Sequence, residues 1–584
     1  MKPLNRTKLK KQALMKGGIL WGVVILLSLV WGRYTEIAAN DSSQSASFFT
    51  LLNQILDNPL RLFLMFPRTL QGWSFGFYGI LLGAIAPLQT YDSYIHKQDL
   101  RPQKENGSAK WNENLDSYNK MFVDPVLRLG SGSLNMILTN EILLSMNTFL
   151  TRRNNNIMVI GGSGSGKSRF CVMPNLMQAN CSFVITDPSG ELLEMMGAFL
   201  EDEGYEIRVL NLVDMRHSDT YNPFHYIRNP EGVLTMINAL IANTTPKGSK
   251  SSDPFWEKAE TALLEALCFY VYYGSKPEKK NFSSVMELLR MAEIKDEDEP
   301  SDLDRLFQKN DVHELAQKCY AVYKSAGGGK TAQSIVISAQ TRLHTFNLPA
   351  VETLTSTDTV DLESLGDRKV ALFCITPTAD TTFNFLVGLM YTQLFESLYH
   401  KAETQSENRH LKYDVRFMLD EFANIGRIPD FCEKLATMRK YGISCTIIIQ
   451  ALSQLKAIYK DEWEVIIGNC DSLLFLGGSD KTTLEYISAI LGKETIRSQN
   501  SSRSYGKQGS YSTSFNKVGR ELMTPSELKT MDNEDCIYFL RGLDPFYSRK
   551  FILEDHPNYK KTGAGNSSKL FHVSDRKHTK GACE

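Results

Sequence analysis

Short, mostly apolar runs recur along the body of the chain, and segments with helical spacing separate them. The runs lie at 157–160, 183–186, 207–210, 370–375, 415–419, 445–449 and 473–476. Apolar strands that alternate with helices are typical of parallel sheets covered by helices on both faces. The pattern therefore predicts an α/β domain with a largely parallel sheet.

The alternation stops between residues 222 and 348, where helix formers dominate and only short loop-like breaks intervene. We predict an all-α domain over 222–348, inserted into an α/β domain that comprises 93–221 and 349–555. The final segment, 556–584, is polar and has few large apolar residues. It is predicted to be a disordered or docking tail.

Two stretches near the N-terminus, 17–32 and 73–88, are apolar and carry no charge. Basic residues precede the first stretch and follow the second, namely Lys2, Arg6, Lys8, Lys10, Lys11, Lys16, His96, Lys97, Arg101 and Lys104. This distribution predicts a two-helix transmembrane hairpin within residues 1–92, with the N-terminus and the large C-terminal part in the cytoplasm. The protein is then a multi-pass protein of the cell membrane.

Two alternatives concern this hairpin. The first stretch is shorter than the roughly 20 residues of a typical span, so a cleaved signal peptide is the competing interpretation. The segment 48–66 is also apolar, but Asp57 and Arg61 interrupt it. It is therefore interpreted as an interfacial helix in preference to a third span.

Composition narrows the function classes. The chain has 584 residues, a formal net charge of −1 and 10 cysteines. Its length allows about three to four domains. The balanced charge lacks the basic footprint of a protein that coats nucleic acid, so any such contact must be local. The cysteines occur singly, without CxxC pairs, which predicts neither a zinc site nor disulfides.

The run at 157–160 leads into a glycine-rich segment that ends in Gly-Lys-Ser. Its members are Gly161, Gly162, Ser163, Gly164, Ser165, Gly166, Lys167 and Ser168. Such a loop, between a strand and a helix, directs backbone N–H groups at phosphate oxygens. Lys167 is assigned to the β- and γ-phosphates of ATP and Ser168 to Mg²⁺. A flexible linker is disfavoured because an apolar strand enters the segment.

A second glycine-rich segment, Gly327-Gly-Gly-Lys330-Thr331, resembles the same signature only superficially. Position 324 is a lysine where the spacing requires glycine, and no strand precedes the segment. It is therefore excluded as a second phosphate-binding loop.

Two adjacent carboxylates follow the apolar run at 415–419. Asp420 is predicted to hold Mg²⁺, and Glu421 to polarise the attacking water. Both would lie at the carboxyl end of a strand, where ligands bind in open α/β sheets. Together with the phosphate-binding loop, they predict a nucleotide-hydrolysing site.

Gln450 and Arg439 are further candidates, each with an alternative. Gln450 follows another apolar run and is a candidate sensor of the γ-phosphate, or else a solvated residue at a strand end. Arg439 is a candidate arginine finger acting on a neighbouring subunit. A basic residue also simply favours a helix C-terminus, and Lys440 beside it fits that interpretation equally well.

Several segments together resemble a known family: 186–191 (TDPSGE), 221–224 (YNPF) and 419–426 (LDEFANIG), with 443–454, 467–477 and 520–528 further along. With the basic N-terminus, the hairpin and the phosphate-binding loop, the chain resembles type IV secretion coupling proteins. These are the TraG/TraD-like branch of the FtsK/HerA-type hexameric motors. The resemblance extends from about 156 to 553.

The resemblance implies a RecA-like motor domain with an inserted all-α domain and a transmembrane hairpin. It implies a membrane-anchored homo-hexamer that hydrolyses ATP with Mg²⁺ and delivers a relaxase-bound single DNA strand to a type IV secretion channel. By position, it also implies catalytic roles for Lys167, Glu421, Gln450 and Arg439. One departure is Ser189, where the family usually has lysine.

DNA contact is the less specific part of this expectation. The segment 497–520 interleaves basic and aromatic residues without an acid, which suits single-stranded DNA but equally suits a mobile polar hairpin. Two other functions stay open. One is a nucleotide-gated receptor that recruits substrates to the channel without pumping DNA, and the other is a septal DNA translocase.

Overall fold

A computed structural model describes most of the chain. The described residues are 6–40, 47–58, 64, 66–85, 88–89, 104–245, 254–293, 299–309, 311–378, 380, 382–406, 408–503 and 511–575. They form two compact units. The small unit comprises the described residues within 1–108 and 493–520, and the large unit comprises those within 109–492 and 521–584.

Most strands have three to seven residues and are buried, whereas two have 11 residues each. They are β1 Asn135–Ile137, β2 Leu143–Ser145, β3 Ile157–Ile160, β4 Ser182–Pro188, β5 Glu206–Asn211, β6 Val370–Thr376, β7 Val415–Leu419, β8 Ile443–Ile449, β9 Ser472–Phe475, β10 Lys493–Arg503, β11 Tyr511–Glu521, β12 Asp535–Leu540 and β13 Phe546–Arg549.

The helices vary from single turns to one of 35 residues. They are α1 Arg6–Asn40, α2 Phe48–Asp57, α3 Leu70–Gly83, α4 Leu115–Phe122, α5 Thr148–Thr151, α6 Met173–Leu176, α7 Glu191–Asp202, α8 Pro230–Thr244, α9 Pro254–Gly274, α10 Phe282–Met291, α11 Asp302–Phe307, α12 Glu314–Ser325, α13 Lys330–Leu343, α14 Pro349–Ser356, α15 Asn384–Thr404, α16 Phe431–Thr437, α17 Leu452–Tyr459, α18 Trp463–Gly468, α19 Lys481–Leu491 and α20 Pro525–Lys529.

A nine-stranded sheet forms the centre of the large unit, in the order β13-β12-β9-β3-β8-β7-β4-β6-β5. The seven strands from β9 to β5 pair in parallel. Each of the seven apolar runs in the sequence is one of these strands, so the predicted α/β fold is confirmed. The pattern of apolar runs does not predict β12 and β13, which pair antiparallel at one edge. In β13, buried and exposed residues alternate, so it lacks a continuous apolar run.

Between β5 and β6, every regular element that the structure describes is helical. The helices α8 to α14 occupy the interval where an all-α insertion was predicted. Their apolar residues join one core with the sheet, and α8 packs along α15. The insertion is therefore anchored on the sheet and does not have an independent core.

The small unit contains two apolar helices that pack together, α1 and α3. The indole Nε1 of Trp21 donates to the carbonyl oxygen of Ile80 at 3.0 Å. Glycines give α3 its close approach to α1: a Cβ at Gly76 would lie 2.5 Å from a methyl carbon of Leu29. The helices lie at the two predicted stretches, although α1 is much longer than 17–32.

Among the described residues, one helix is long and apolar enough to cross a membrane, over Met15–Asn40 within α1. Helix α3 has only 14 residues, fewer than a span requires. The structure thus supports one apolar N-terminal helix, and the two-span hairpin goes beyond it. Within 48–66, helix α2 has 10 residues.

The C-terminal segment corrects the prediction of a disordered tail for residues 556–575. The amide N–H of Gly563 donates to Met195 O at 2.8 Å, and that of Phe571 donates to Glu194 O at 2.9 Å. The Phe571 ring is 5% exposed and covers Gly197 of α7. Backbone hydrogen bonds and one aromatic anchor hold this polar segment, and neither shows as an apolar run. Residues 576–584 lie outside the described part.

Phe571→Ala should release this segment from α7, because the substitution removes its main apolar contact. Burial of a phenylalanine in a core is worth about 3 kcal/mol. Hydrogen exchange of the amides in 556–571 in the full chain would accelerate accordingly. Lys569→Ala is the control, since its exposed ion pair with Asp202, 3.0 Å apart, contributes little. Equal exchange in both variants would contradict the anchoring role of Phe571.

Candidate nucleotide site

The glycine-rich loop follows β3 and wraps around the carboxyl edge of the sheet. The amide of Gly161 donates to Ile449 O at 3.1 Å, and that of Gly162 donates to Gly477 O at 2.9 Å. Ser163 lies at the exposed tip. Gly164 and Gly166 have φ angles of 76° and 78°, a conformation that favours glycine. The loop therefore has the backbone shape that a phosphate-binding loop requires.

Two groups in this loop fit a bound phosphate. The ammonium of Lys167 curls back to Gly162 O at 3.3 Å and is mostly buried. The hydroxyl oxygen of Ser165 is buried and makes no hydrogen bond within the described part of the chain. A phosphate oxygen would supply the missing partner for Ser165 and a counter-charge for Lys167.

Ser168 begins a π-helical turn, Ser168–Val172, directly after the loop. Its hydroxyl donates to Asp420 Oδ2 at 2.5 Å. Burial raises the pKa of Asp420, and Glu421 adds to the rise, whereas the Ser168 hydroxyl and Lys167 oppose it. A hydroxyl and a carboxylate held together are oxygen ligands of the kind that Mg²⁺ prefers. These two residues therefore fit the predicted Mg²⁺ site.

Glu421 and Gln450 also meet, as their positions at the ends of neighbouring strands predict. The Gln450 Nε2 donates to Glu421 Oε1 at 2.5 Å. Gln450 is itself held, since its amide N–H donates to Gln454 Oε1 at 3.0 Å. Glu421 has a φ angle of 53°, a left-handed conformation that is uncommon outside glycine. The Glu421 carboxylate is therefore held in position by the side-chain amide of Gln450, which follows the adjacent strand.

A cleft of about 590 Å³ brings these residues together. Of the predicted residues, it is lined by Gly164, Gly166, Lys167, Ser168, Asp420, Glu421 and Gln450. Several further lining residues have no role predicted from the sequence, namely Arg169, Asp187, Glu191, Thr378, Asn424, Leu553 and Ala564. The cleft combines cations, carboxylates and a turn of backbone N–H groups, and it can therefore bind and orient a nucleoside triphosphate.

Asp187, at the end of β4, is one of the residues without an assigned role. Its two carboxylate oxygens accept from the amides of Leu192 and Leu193 at 3.0 and 2.8 Å. It thus caps α7. Burial raises its pKa to about 7, and the two amide donors only partly offset this effect. The segment Asp-Pro-Ser-Gly was the available signal, because this composition is common at a turn before a helix.

Two basic residues link residues 550–554, which precede the C-terminal segment, to the phosphate-binding loop and to the turn that follows it. The Lys550 ammonium donates to Ser165 O at 3.0 Å and lies 5.4 Å from the centre of the Phe170 ring. Burial lowers the pKa of Lys550. Arg169 forms an ion pair with Glu554. No sequence pattern links positions this far apart along the chain, so these contacts emerge only from the fold.

Arg439 does not reach this cleft within one chain. It precedes the amino end of β8, whereas Gln450 follows the carboxyl end of the same strand. Its guanidinium donates to Thr148 O at 2.8 Å. It lines a separate cavity of about 170 Å³, together with His410 and Asp414. Arg439 therefore lies at the opposite edge of the sheet from the phosphate-binding loop.

The family model and the related sequences that match this chain point to the same family. A family model described as type IV secretory system conjugative DNA transfer matches residues 119–572. The VirD4 protein of Rhizobium radiobacter is 22% identical over 463 residues, which is 77% of this chain and 64% of that protein. The conjugal transfer protein TraG of Escherichia coli is 24% identical over 457 residues, covering 72% of this chain and 70% of that protein. The chain spans 64%, 58% and 57% of the length of three VirD4 relatives.

A solved structure gives the same picture of the fold. The bacterial conjugative coupling protein TrwBdeltaN70, in its unbound monoclinic form, matches with a TM-score of 0.57 at 18% identity. The match covers 77% of this chain and 95% of that one. This likeness supports a RecA-like motor fold.

The raised pKa of Asp187 predicts a pH dependence of stability. Its folded-state pKa of about 7 lies above the usual value of 3.8. The contribution is therefore fully present below about pH 4 and is lost as the pH rises through 7. Between pH 6 and 8, the free energy of unfolding should fall by about 1.4 kcal/mol through this group.

Asp187→Asn should remove that difference, measured by unfolding of the full chain at both pH values in buffer without Mg²⁺. Asp116→Asn, at an exposed position in α4, is the matched control and should keep the wild-type difference. An unchanged pH difference in Asp187→Asn would show that Asp187 does not titrate in this range.

Proposed function

Since the chain belongs to the type IV secretory system conjugative DNA transfer family, we propose that it is a membrane-anchored ATPase of conjugation. It couples a relaxase-bound single DNA strand to a type IV secretion channel and translocates the DNA by ATP hydrolysis. One observation carries the proposal: the Ser168–Asp420 and Glu421–Gln450 pairs line the same cleft as the phosphate-binding loop.

The chain's own residues divide the work of hydrolysis. The loop amides and Lys167 bind and orient the phosphates of ATP. Ser168 and Asp420 would hold Mg²⁺, which would offset the charge of the phosphate oxygens. Gln450 keeps the Glu421 carboxylate directed into the cleft. As water attacks the γ-phosphorus and the bond to the bridging oxygen of ADP breaks, Glu421 takes the proton from water.

The assignment of ATP and Mg²⁺ also draws on relatives. TrwB is described in complex with ADP and Mg²⁺ and with a non-hydrolysable ATP analogue. We extend that ligand class to this chain because its loop and its Ser168–Asp420 pair offer matching chemistry. The relaxase, the DNA strand and the channel are proposed as partners because the family is named for conjugative DNA transfer by a type IV secretory system and the TraG relative for conjugal transfer.

We extend the proposal to the membrane and to assembly. Helix α1 anchors the chain. The 14 residues of α3 are too few for a span by themselves, so we propose that the whole apolar stretch 73–88 forms the second span of a hairpin, with the glycine face of α3 packed on α1. The protein is then multi-pass in the cell membrane with its large unit in the cytoplasm. A homo-hexamer would bring Arg439 of one subunit to the cleft of the next, which is the arrangement that an arginine finger requires.

The first test is turnover by the full chain in detergent micelles, with and without single-stranded DNA. Glu421→Gln should lower kcat by about 10²-fold or more and leave ATP binding nearly unchanged, because it removes only the proton acceptor. Lys167→Ala should weaken both ATP binding and turnover, because it removes a phosphate contact.

Lys330→Ala is the matched control for Lys167→Ala. Lys330 follows a glycine run but begins α13, away from the cleft, so its loss should change neither quantity. Wild-type protein that binds ATP without turnover under any DNA condition would contradict the motor proposal and favour a nucleotide-gated receptor.

The trans role of Arg439 makes a separate prediction. Arg439→Ala should reduce kcat by about 10³-fold with unchanged ATP binding. Mixing it with Lys167→Ala should restore part of the activity, because some junctions then combine an intact cleft with an intact arginine. Lys440→Ala is the control, because it removes the cation next to Arg439 in the sequence. The Lys440 ammonium lies 4.4 Å from the centre of the Tyr441 ring of its own chain and has no proposed role in a neighbouring cleft. Failure of the mixture to recover activity would contradict a trans role.

A further inference from the structure

Residues 420–427, here named the carboxylate loop, connect the cleft to the helical insertion. Glu421 and Asn424 of this loop line the cleft. Three residues after Asn424, the backbone of Arg427 reaches helix α8, the first helix of the insertion. The loop therefore contacts the nucleotide site at one end and the insertion at the other.

Within the described residues, the hydrogen bonds between the carboxylate loop and α8 are made by the side chain of Asn243. Its Nδ2 donates to Arg427 O at 2.8 Å, and its Oδ1 accepts from Arg427 N at 2.7 Å. The same Nδ2 donates to Ala239 O within α8 at 2.8 Å. The amide thus satisfies both backbone groups of Arg427, as a neighbouring strand would, and fixes the loop to the helix.

Two glycines leave space for this amide. A Cβ at Gly426 would lie 2.2 Å from Asn243 Oδ1, and a Cβ at Gly388 would lie 2.9 Å from Asn243 Nδ2. Gly426 also has a φ angle of 95°, which other residues rarely adopt. The backbone on both sides is therefore shaped around Asn243.

The turn that carries Asn243 is also held from the other side. Arg342 of α13 donates to Thr244 Oγ1 at 2.8 Å and to Thr245 Oγ1 at 3.2 Å. Arg342 is itself bound by Glu260 of α9, with 2.6 Å between Nε and Oε1. Their side chains are 12% and 4% exposed. A buried, hydrogen-bonded ion pair gives a fixed geometry, so the turn connects directly to α9 and α13.

We propose that Asn243 is a positioning residue that couples the nucleotide state of the carboxylate loop to the inserted helices α9 and α13. The proposal rests on the proposed ATP site. Contacts of Glu421 with a bound nucleotide would shift the loop, and the paired hydrogen bonds of Asn243 would carry that shift into the last turn of α8. Arg342 and Glu260 would pass it on to the insertion.

The test measures hydrogen exchange in α9 and α13 of the full chain, with a non-hydrolysable ATP analogue and Mg²⁺ as the probe. In the wild type, the analogue should change exchange in α13 by about five-fold or more, within the usual range of coupling between sites. Asn243→Ala should reduce this change to less than about two-fold, with analogue affinity kept within about two-fold.

Asn229→Ala is the matched control. Asn229 is the N-cap of the same helix, where its side chain accepts from the amide of Gly232, so the substitution weakens α8 without touching the carboxylate loop. It should keep the nucleotide-dependent change. A second variant, Gly426→Ala, breaks the same contact from the loop side. Its effect should not add to that of Asn243→Ala.

The possible outcomes distinguish a failure of the proposed ATP site from a failure of the proposed coupling. A wild-type chain that does not bind the analogue overturns the ATP site and, with it, this coupling. Binding without a change in exchange overturns the coupling alone. An equal loss in Asn229→Ala and Asn243→Ala would also overturn it, because helix stability would then explain both.

Discussion

The parallel register of β3, β8 and β7 is the constraint on which the site depends. Ile160 pairs with Ile449, and Leu419 pairs with Ile447. The residue that follows each strand end is one of those assigned to the nucleotide site: Gly161, Gln450 and Asp420. Parallel strands bring their carboxyl ends to one edge, and a slip of one residue in this register would turn these side chains to the other face. The backbone hydrogen bonds of the sheet thus determine the geometry of the cleft.

This register also explains what the sequence could reveal. Strands buried on both faces need apolar residues at every position, so their ends show where the apolar run stops. The polar residues at those ends, Asp420 and Gln450, were therefore recognisable. The cap on α7 was not fully recognisable, because the segment Asp-Pro-Ser-Gly indicates a turn before a helix but does not show that Asp187 accepts from the helix amides. The contacts of Lys550 and of the C-terminal segment were also missed, since Lys550 and Phe571 each act singly and contact residues hundreds of positions away. Local patterns carry no information about such contacts.

Burial at this edge of the sheet also determines how readily the carboxylates of the cleft ionise. Asp187 and Asp420 both have raised pKa values, and burial is the first cause in each case. Lys167 and the amide donors offset only part of this cost. A divalent cation beside Ser168 and Asp420 would favour the ionised carboxylates, so binding of the cation and loss of protons are linked. The sheet edge therefore places carboxylates where burial disfavours their ionised form without a cation and where a bound cation would stabilise it.

The insertion lacks a core of its own, which makes α8 part of two structures at once. Its apolar face packs with the sheet and α15, while Asn243 and Arg342 hold its last turn from opposite sides. Close-packed interiors respond to displacement by shifts of whole elements, not by gradual deformation. A movement of the carboxylate loop would thus be met by the last turn of α8 as a unit. A flexible linker between the insertion and the sheet would absorb the same movement. The shared core is therefore what allows a change at the nucleotide site to displace the inserted helices.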